Sequence, residues 1–165
     1  MEIKAFQDCY PEELSHCYGC GKNNSHGHQL KSFWQNIDKE NLLASTTIAH
    51  YMPEDIYTAI PGFVYGGMLA SLIDCHGTGS ASAMAYLAQN REMGSAPALR
   101  FVTGALNINY LAPTPQGVEL TLIGHFSEVK ERKVIVDITL SADDTVCVKG
   151  QVIAVLMPEG MTPKS

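Results

Sequence analysis

The chain has 165 residues, of which 45% are hydrophobic and only 17% charged. That balance excludes disorder, because an unfolded chain is charge-rich and apolar-poor, and the length is that of one domain. Eleven basic against seventeen acidic residues give a net charge of −6, which argues against a general nucleic-acid surface.

No apolar run reaches the ~18 residues of a membrane span, so no membrane partner is expected. The start MEIKAFQDCYPEEL is acidic and lacks a leader's apolar stretch. Five cysteines, an odd number in a chain long enough to fold without staples, predict reduced thiols and a cytoplasmic location. The sparse charge predicts that some surface is hidden against a second copy of the chain.

Residues 1–28 read as irregular, with turn signals at Gly19, Gly21, Asn23-Asn24 and Gly27. Leu30–Ile37 and Leu42–Ala49 read as two strands joined by the polar turn Asp38–Asn41. A loop, His50–Phe63, follows. Val64–Ala88 has no proline and few β-branched residues, and Met68, Leu69, Leu72, Ile73, Met84 and Leu87 recur at helical spacing. One long helix starting near Gly66-Gly67 is predicted. It has almost no charge and many small residues, and a helix apolar or small all round is a buried one. Beyond a loop at Gln89–Leu99 the period falls to two. Thr103–Leu111, Val118–Val129, Lys133–Ala142 and Thr145–Met157 read as strands with short links, hence antiparallel neighbours. The order is β-β-α-β-β-β-β: an α+β chain in which a curved antiparallel sheet wraps one long central helix.

Asp74 is the residue that does not fit. A carboxylate in an uncharged helix needs hydrogen bonds or a raised pKa, and it is either a structural acid bonded to a neighbour or a catalytic group. Gly66-Gly67 at the helix start is the second anomaly. Two glycines bare backbone N–H groups that have no intrahelical partner, at the end where the dipole favours negative charge. They either make a tight turn into the helix or form an oxyanion hole. Asp74 lies seven to eight residues further on, about 10–12 Å along the axis. A base and an oxyanion hole must both lie within ~3 Å of one reacting group, so one chain does not supply both. Two helices side by side and antiparallel do, which predicts a homodimer with two equivalent sites.

These features together resemble the hotdog-fold acyl-CoA thioesterases of the PaaI-like, thioesterase-superfamily type. The family's usual pattern is His-Gly-Gly, six residues, then Asp; here Tyr65-Gly66-Gly67 and Asp74 keep the spacing. Leu106–Pro115 resembles the family strand ending in Tyr-Leu-x-Pro, and Cys17-Tyr18-Gly19-Cys20-Gly21 resembles an N-terminal Cys-x-x-Cys-Gly segment of several members. The match spans roughly residues 15–157.

The resemblance implies one hotdog domain over 29–158, with a segment 1–28 before it and a tail 159–165. It implies hydrolysis of an acyl-CoA to free acid and CoA. Asp74 is then general base or nucleophile, Gly66 and Gly67 of the facing subunit bind the carbonyl oxygen, and Thr103 orients water. Tyr65, Tyr57, Phe63 and Asn107 are substrate-binding candidates; Tyr51, Ile56 and Ile60 also belong to the loop expected to line the acyl pocket. Further assembly to a homotetramer through sheet packing is expected. Tyr65 departs from the family's His and is no proton acceptor near neutral pH. A non-catalytic acyl-CoA sensor is the alternative.

Other signals are weaker. Cys17 and Cys20 with His16, His26 and His28 have zinc-ligand types, but Cys20 to His26 is short and no second Cys-x-x-Cys exists. The segment therefore reads as a knuckle-like turn capping the pocket, with no metal. Cys75 reads as a small core residue and His76, about 200° round the helix from Asp74, as packed or hydrogen-bonded. No Gly-x-Gly-x-x-Gly, P-loop or Gly-x-Ser-x-Gly is present, so no cofactor is expected. Arg91, Arg100, Lys130, Arg132 and Lys133 are candidates for CoA phosphates.

Overall fold

The computed structural model describes residues 2–164. Six strands form one antiparallel sheet: β1 (Ser32–Asn36), β2 (Thr46–Tyr51), β3 (Phe101–Tyr110), β4 (Leu120–Lys130), β5 (Lys133–Ala142) and β6 (Thr145–Leu156). Their spatial order is β1-β2-β4-β5-β6-β3, so β1 and β3 are the edges. The single long helix α1 (Gly66–Ala88) packs against the inner face. This is the hotdog arrangement.

Alternation decides the layers. Along β5, Val134, Val136, Ile138 and Leu140 are buried while their neighbours are not. The helix approaches the sheet through two notches. A Cβ on Gly77 would lie 2.4 Å from Val152 of β6, and one on Gly150 of β6 would lie 2.5 Å from Ile73 of α1. Each glycine receives the other element's branched side chain. The helix ends where Asn90 takes φ 51 and its N–H bonds the Leu87 carbonyl at 2.9 Å, a left-handed stop that asparagine tolerates.

Residues 2–28 are less irregular than predicted. They contain 3-10 turns at Phe6–Cys9 and Glu12–Leu14, and Phe6, Gln7 and Tyr10 are buried. Gln7 enters a polar chain through the core. Its Oε1 accepts from the Ser32 N–H at 2.8 Å, which fixes the amide so that Nε2 donates to Ser32 Oγ at 3.0 Å. The single hydroxyl proton of Ser32 then goes to His76 Nδ1 (2.9 Å), and His76 Nε2–H donates to Thr47 Oγ1 (3.2 Å), which meets Ser80 Oγ at 2.7 Å. A neutral imidazole satisfies the chain, and His76 is a structural residue.

The second strand starts later than predicted. Leu42–Ala44 is a 3-10 turn and β2 begins at Thr46. Asp38 causes this: its carboxylate accepts from the N–H groups of Glu40 and Asn41 at 3.0 and 2.9 Å, and its own N–H donates to Ser45 Oγ at 2.9 Å. That turn chemistry extends the connection to Ser45. β2 in turn runs on to Tyr51, which pairs with Leu120.

Candidate active site

α1 is open on one side of its first turns. Gly67, Ala70, Ser71 and Asp74 follow the i, i+3, i+4, i+7 spacing of one helix face, and none is fully buried. From Cys75 to Tyr86 every residue is buried. A helix with no solvent face is therefore found only in its second half; the acid lies half-buried at the end of a partly open small-residue stripe.

Both ends of this stripe touch the edge strand β3. The Thr103 hydroxyl donates to Asp74 Oδ1, and the Tyr110 hydroxyl donates to the Gly66 carbonyl at 2.8 Å. Burial pushes the Asp74 carboxyl above the usual carboxylate range; the Thr103 hydrogen bond pulls it back, the Cys17 thiol raises it and the Arg100 charge lowers it. Thr103 shares the helix-facing side of β3 with buried Phe101 by ordinary alternation, and a β-bulge follows it. Thr103 pairs with Ala154 and Ala105 with Ile153, leaving Gly104 as the extra residue.

The same bulge displaces Asn107. In an unbroken strand Asn107 shares a face with Thr103; after the extra residue the parity inverts. Ile108 packs on the core, whereas Asn107 and Asn109 line a hollow on the outer face with His125, Asp137 and Gln151. The structure thus brings together Asp74, Thr103, Gly66 and Gly67 along one seam and leaves Asn107 on the other side of the sheet.

At the helix start Tyr65 is extended (φ −71, ψ 146) and its side chain makes no cap to the first N–H groups. A Cβ on Gly67 would meet the Tyr65 ring at 2.7 Å, and one on Gly66 would meet the Tyr110 ring at 3.0 Å. Two tyrosine rings therefore flank the glycines, a packing reason for both of them that sequence alone did not reveal. Gly66, Gly67, Leu69, Tyr110 and Leu111 line a hollow of about 450 Å³ here. A larger one of about 720 Å³ lies at the far end of α1, around Ala85, Ala88 and Glu128, where Asp74 takes no part.

In the preceding loop, Tyr57 is half-buried with its ring centroid 5.0 Å from His28, and His28 also contacts Tyr18 and Tyr51 edge-on. Ile56 and Ile60 are each 73% exposed and Phe63 40%. Of the basic candidates, Arg91 donates to the carbonyls of Ser95 and Pro97, and Lys130 and Lys133 pair with Glu128. Arg100 turns inward, its guanidinium 4.3 Å above the Tyr10 ring and donating to the Phe101 carbonyl at 2.6 Å.

Beside Asp74, Cys17, Cys20 and Cys75 bring their sulfurs within 4.8 Å of one another. Cys75 is buried as expected, but it also completes this group, in which His16, His26 and His28 take no part. Only the Cys-x-x-Cys-Gly turn was visible in the sequence; the third member comes from the fold.

The fold is the hotdog fold, with a half-buried acid held by a threonine on a helix whose N-terminus abuts a hollow. The thioesterase superfamily model matches residues 61–149, and the chain belongs to that superfamily. Its class is that of the thioester hydrolases. A thioesterase superfamily protein from Shewanella loihica PV-4 is 54% identical over 81% of this chain and 96% of its own, with a TM-score of 0.64. A thioesterase from Haemophilus influenzae shares the fold at 14% identity, over 82% of this chain and 84% of its own, with a TM-score of 0.62. So does a Streptococcus mutans protein bound to acetyl CoA, at 17% identity over 77% and 89%, with a TM-score of 0.56. No curated protein matches the chain. Among the described residues no helix is long and apolar enough to cross a membrane.

Proposed function

We propose that the protein hydrolyses an acyl-CoA thioester, with Asp74 as the catalytic acid–base group. The Thr103–Asp74 hydrogen bond at the open end of the α1 stripe carries this reading: it gives an acid with a raised pKa both an orientation and access. Asp74 draws a proton from water, which attacks the thioester carbon; the oxygen becomes an oxyanion, the carbon–sulfur bond breaks, and CoA leaves as its thiol once protonated. Direct attack by the carboxylate, giving an anhydride that water then opens, uses the same geometry.

The backbone N–H groups of Gly66 and Gly67 are the oxyanion donors, supplied by a facing copy. Asp74 lies about 12 Å along the axis from Gly66 within one helix, too far to share a substrate carbonyl with it. The partly open stripe Gly67-Ala70-Ser71-Asp74, small enough for a second backbone to come close, favours an antiparallel homodimer in which each site takes one Asp and one Gly pair. The outer sheet face carries Asn107, His125, Asp137 and Gln151, polar groups on which a homotetramer would have to be built. The acyl chain lies against Tyr57, Phe63, Ile56 and Ile60, near Tyr65. The Streptococcus mutans neighbour bound to acetyl CoA supports the choice of CoA ester.

A screen of acyl-CoAs that detects the freed thiol tests this. Turnover by the wild type and its loss in Asp74→Ala are expected. Binding of acyl-CoA without turnover by the wild type would instead identify the protein as a sensor. Hybrid dimers test the shared site: Asp74→Ala and Gly66→Pro chains, each inactive alone, regain activity on mixing because the hybrid holds one intact site. No recovery in verified hybrids would place both groups in one chain.

A further inference from the structure

The three thiols beside Asp74 form a built site that the hydrolytic reading does not use. Cys17 Sγ lies 3.8 Å from Cys75 Sγ, and all three sulfurs fall within 4.8 Å. Thiolates bound to zinc at about 2.3 Å in a tetrahedron stand ~3.8 Å apart, so the Cys17–Cys75 edge already has the length that such a centre requires. The turn is held ready for it. The Gly21 N–H bonds the Cys17 carbonyl at 2.7 Å, and the Leu30 N–H bonds the Gly19 carbonyl at 3.1 Å. Gly19 is required because a Cβ there would lie 2.3 Å from Cys75 Sγ, and one on Gly21 would strike backbone at 2.5 Å.

Charge fits as well. Three thiolates and a divalent ion leave one net negative charge, and the Arg100 guanidinium, turned inward over the Tyr10 ring, is a cation whose field favours it. Cys20 and Cys75 are 1% and 6% exposed, which shields them from oxidants, whereas half-buried Cys17 offers a way in. We propose that Cys17, Cys20 and Cys75 bind one Zn²⁺ ion per chain as thiolates, tying the N-terminal turn to α1 at the residue next to Asp74.

The experiment uses the full chain, reduced and stripped by chelator, titrated with Co²⁺ as a coloured substitute and then with Zn²⁺. Expected are one equivalent of cobalt, an intense thiolate-to-cobalt charge-transfer band, and bleaching by zinc. Cys75→Ala and Cys17→Ser lose the band, while Cys9→Ser keeps it. The idea is overturned if the reduced wild type shows no such band, if Cys75→Ala retains it unchanged, or if protein kept under reductant yields a disulfide among these three cysteines. None of these readouts involves hydrolysis, so failure here leaves the acyl-CoA reading intact, and the converse also holds.

Discussion

The hydroxyl of Thr103, on the edge strand, donates to the carboxylate of Asp74, on the helix, across the seam where α1 meets the open side of the sheet. This bond orients a group whose burial would otherwise favour its neutral form. Replacing Asp74 with Ala is expected to lower kcat by about 10²–10⁴, the usual worth of a general base. Thr103→Val is expected to lower kcat more than it raises KM, and Thr103→Ser to restore it. Thiol-release kinetics beside a circular dichroism spectrum read both; equal kcat for Thr103→Val and wild type would reduce the threonine to packing.

Gly66→Pro removes a single N–H but also sets a Cβ about 3.0 Å from the Tyr110 ring, so Gly66→Ala, which adds the same Cβ and keeps the N–H, is its control. Gly66 is the first helical residue, where proline is tolerated, and Tyr65 before it already holds the extended conformation that proline demands. If that N–H serves the oxyanion, kcat falls by about 10²–10³ in Gly66→Pro and much less in Gly66→Ala. A fully active Gly66→Pro enzyme would pass the role to Gly67.

Gly77→Ala tests the packing of helix on sheet. A Cβ would press on Val152, and overfilling of this kind costs about 1–3 kcal/mol. Urea unfolding should show a lower midpoint at unchanged slope.

His76 predicts the response to acid. Burial pushes its imidazole down to about 3, against about 6.5 unfolded. Between these values the unfolded chain binds a proton that the fold refuses, so the contribution of His76 to stability is complete above about pH 6.5 and declines as the pH falls toward 3. Melting curves of wild type and His76→Gln should converge on acidification. Parallel curves would mean that His76 takes up its proton without unfolding.

Tyr57→Ala should change the chain-length preference across the acyl-CoA series, since Tyr57 anchors the loop on His28. An unaltered preference would move the acyl site elsewhere.

The helix, the four C-terminal strands and the Asp74–glycine spacing could be read directly because each is a periodic pattern or a local anomaly. What escaped depended on contacts across the chain. Asp38 delays β2 through hydrogen bonds to Glu40, Asn41 and Ser45, although Leu42–Ala49 has a strand's composition. Gly104 inverts the parity of β3, which separates Asn107 from Thr103; a lone glycine in a strand hints at a bulge but does not announce one. Cys75 meets Cys17 across 58 positions of sequence, a distance at which spacing carries no signal.

The paired notches, Gly77 for Val152 and Gly150 for Ile73, act as a key in a slot. With two teeth engaged, α1 cannot turn about its long axis, so the bearing of the acid is fixed by residues that never meet substrate. Bulk added at either tooth would swing the carboxylate out of line as well as loosen the molecule, and a survey that scored folding alone would record only the second effect.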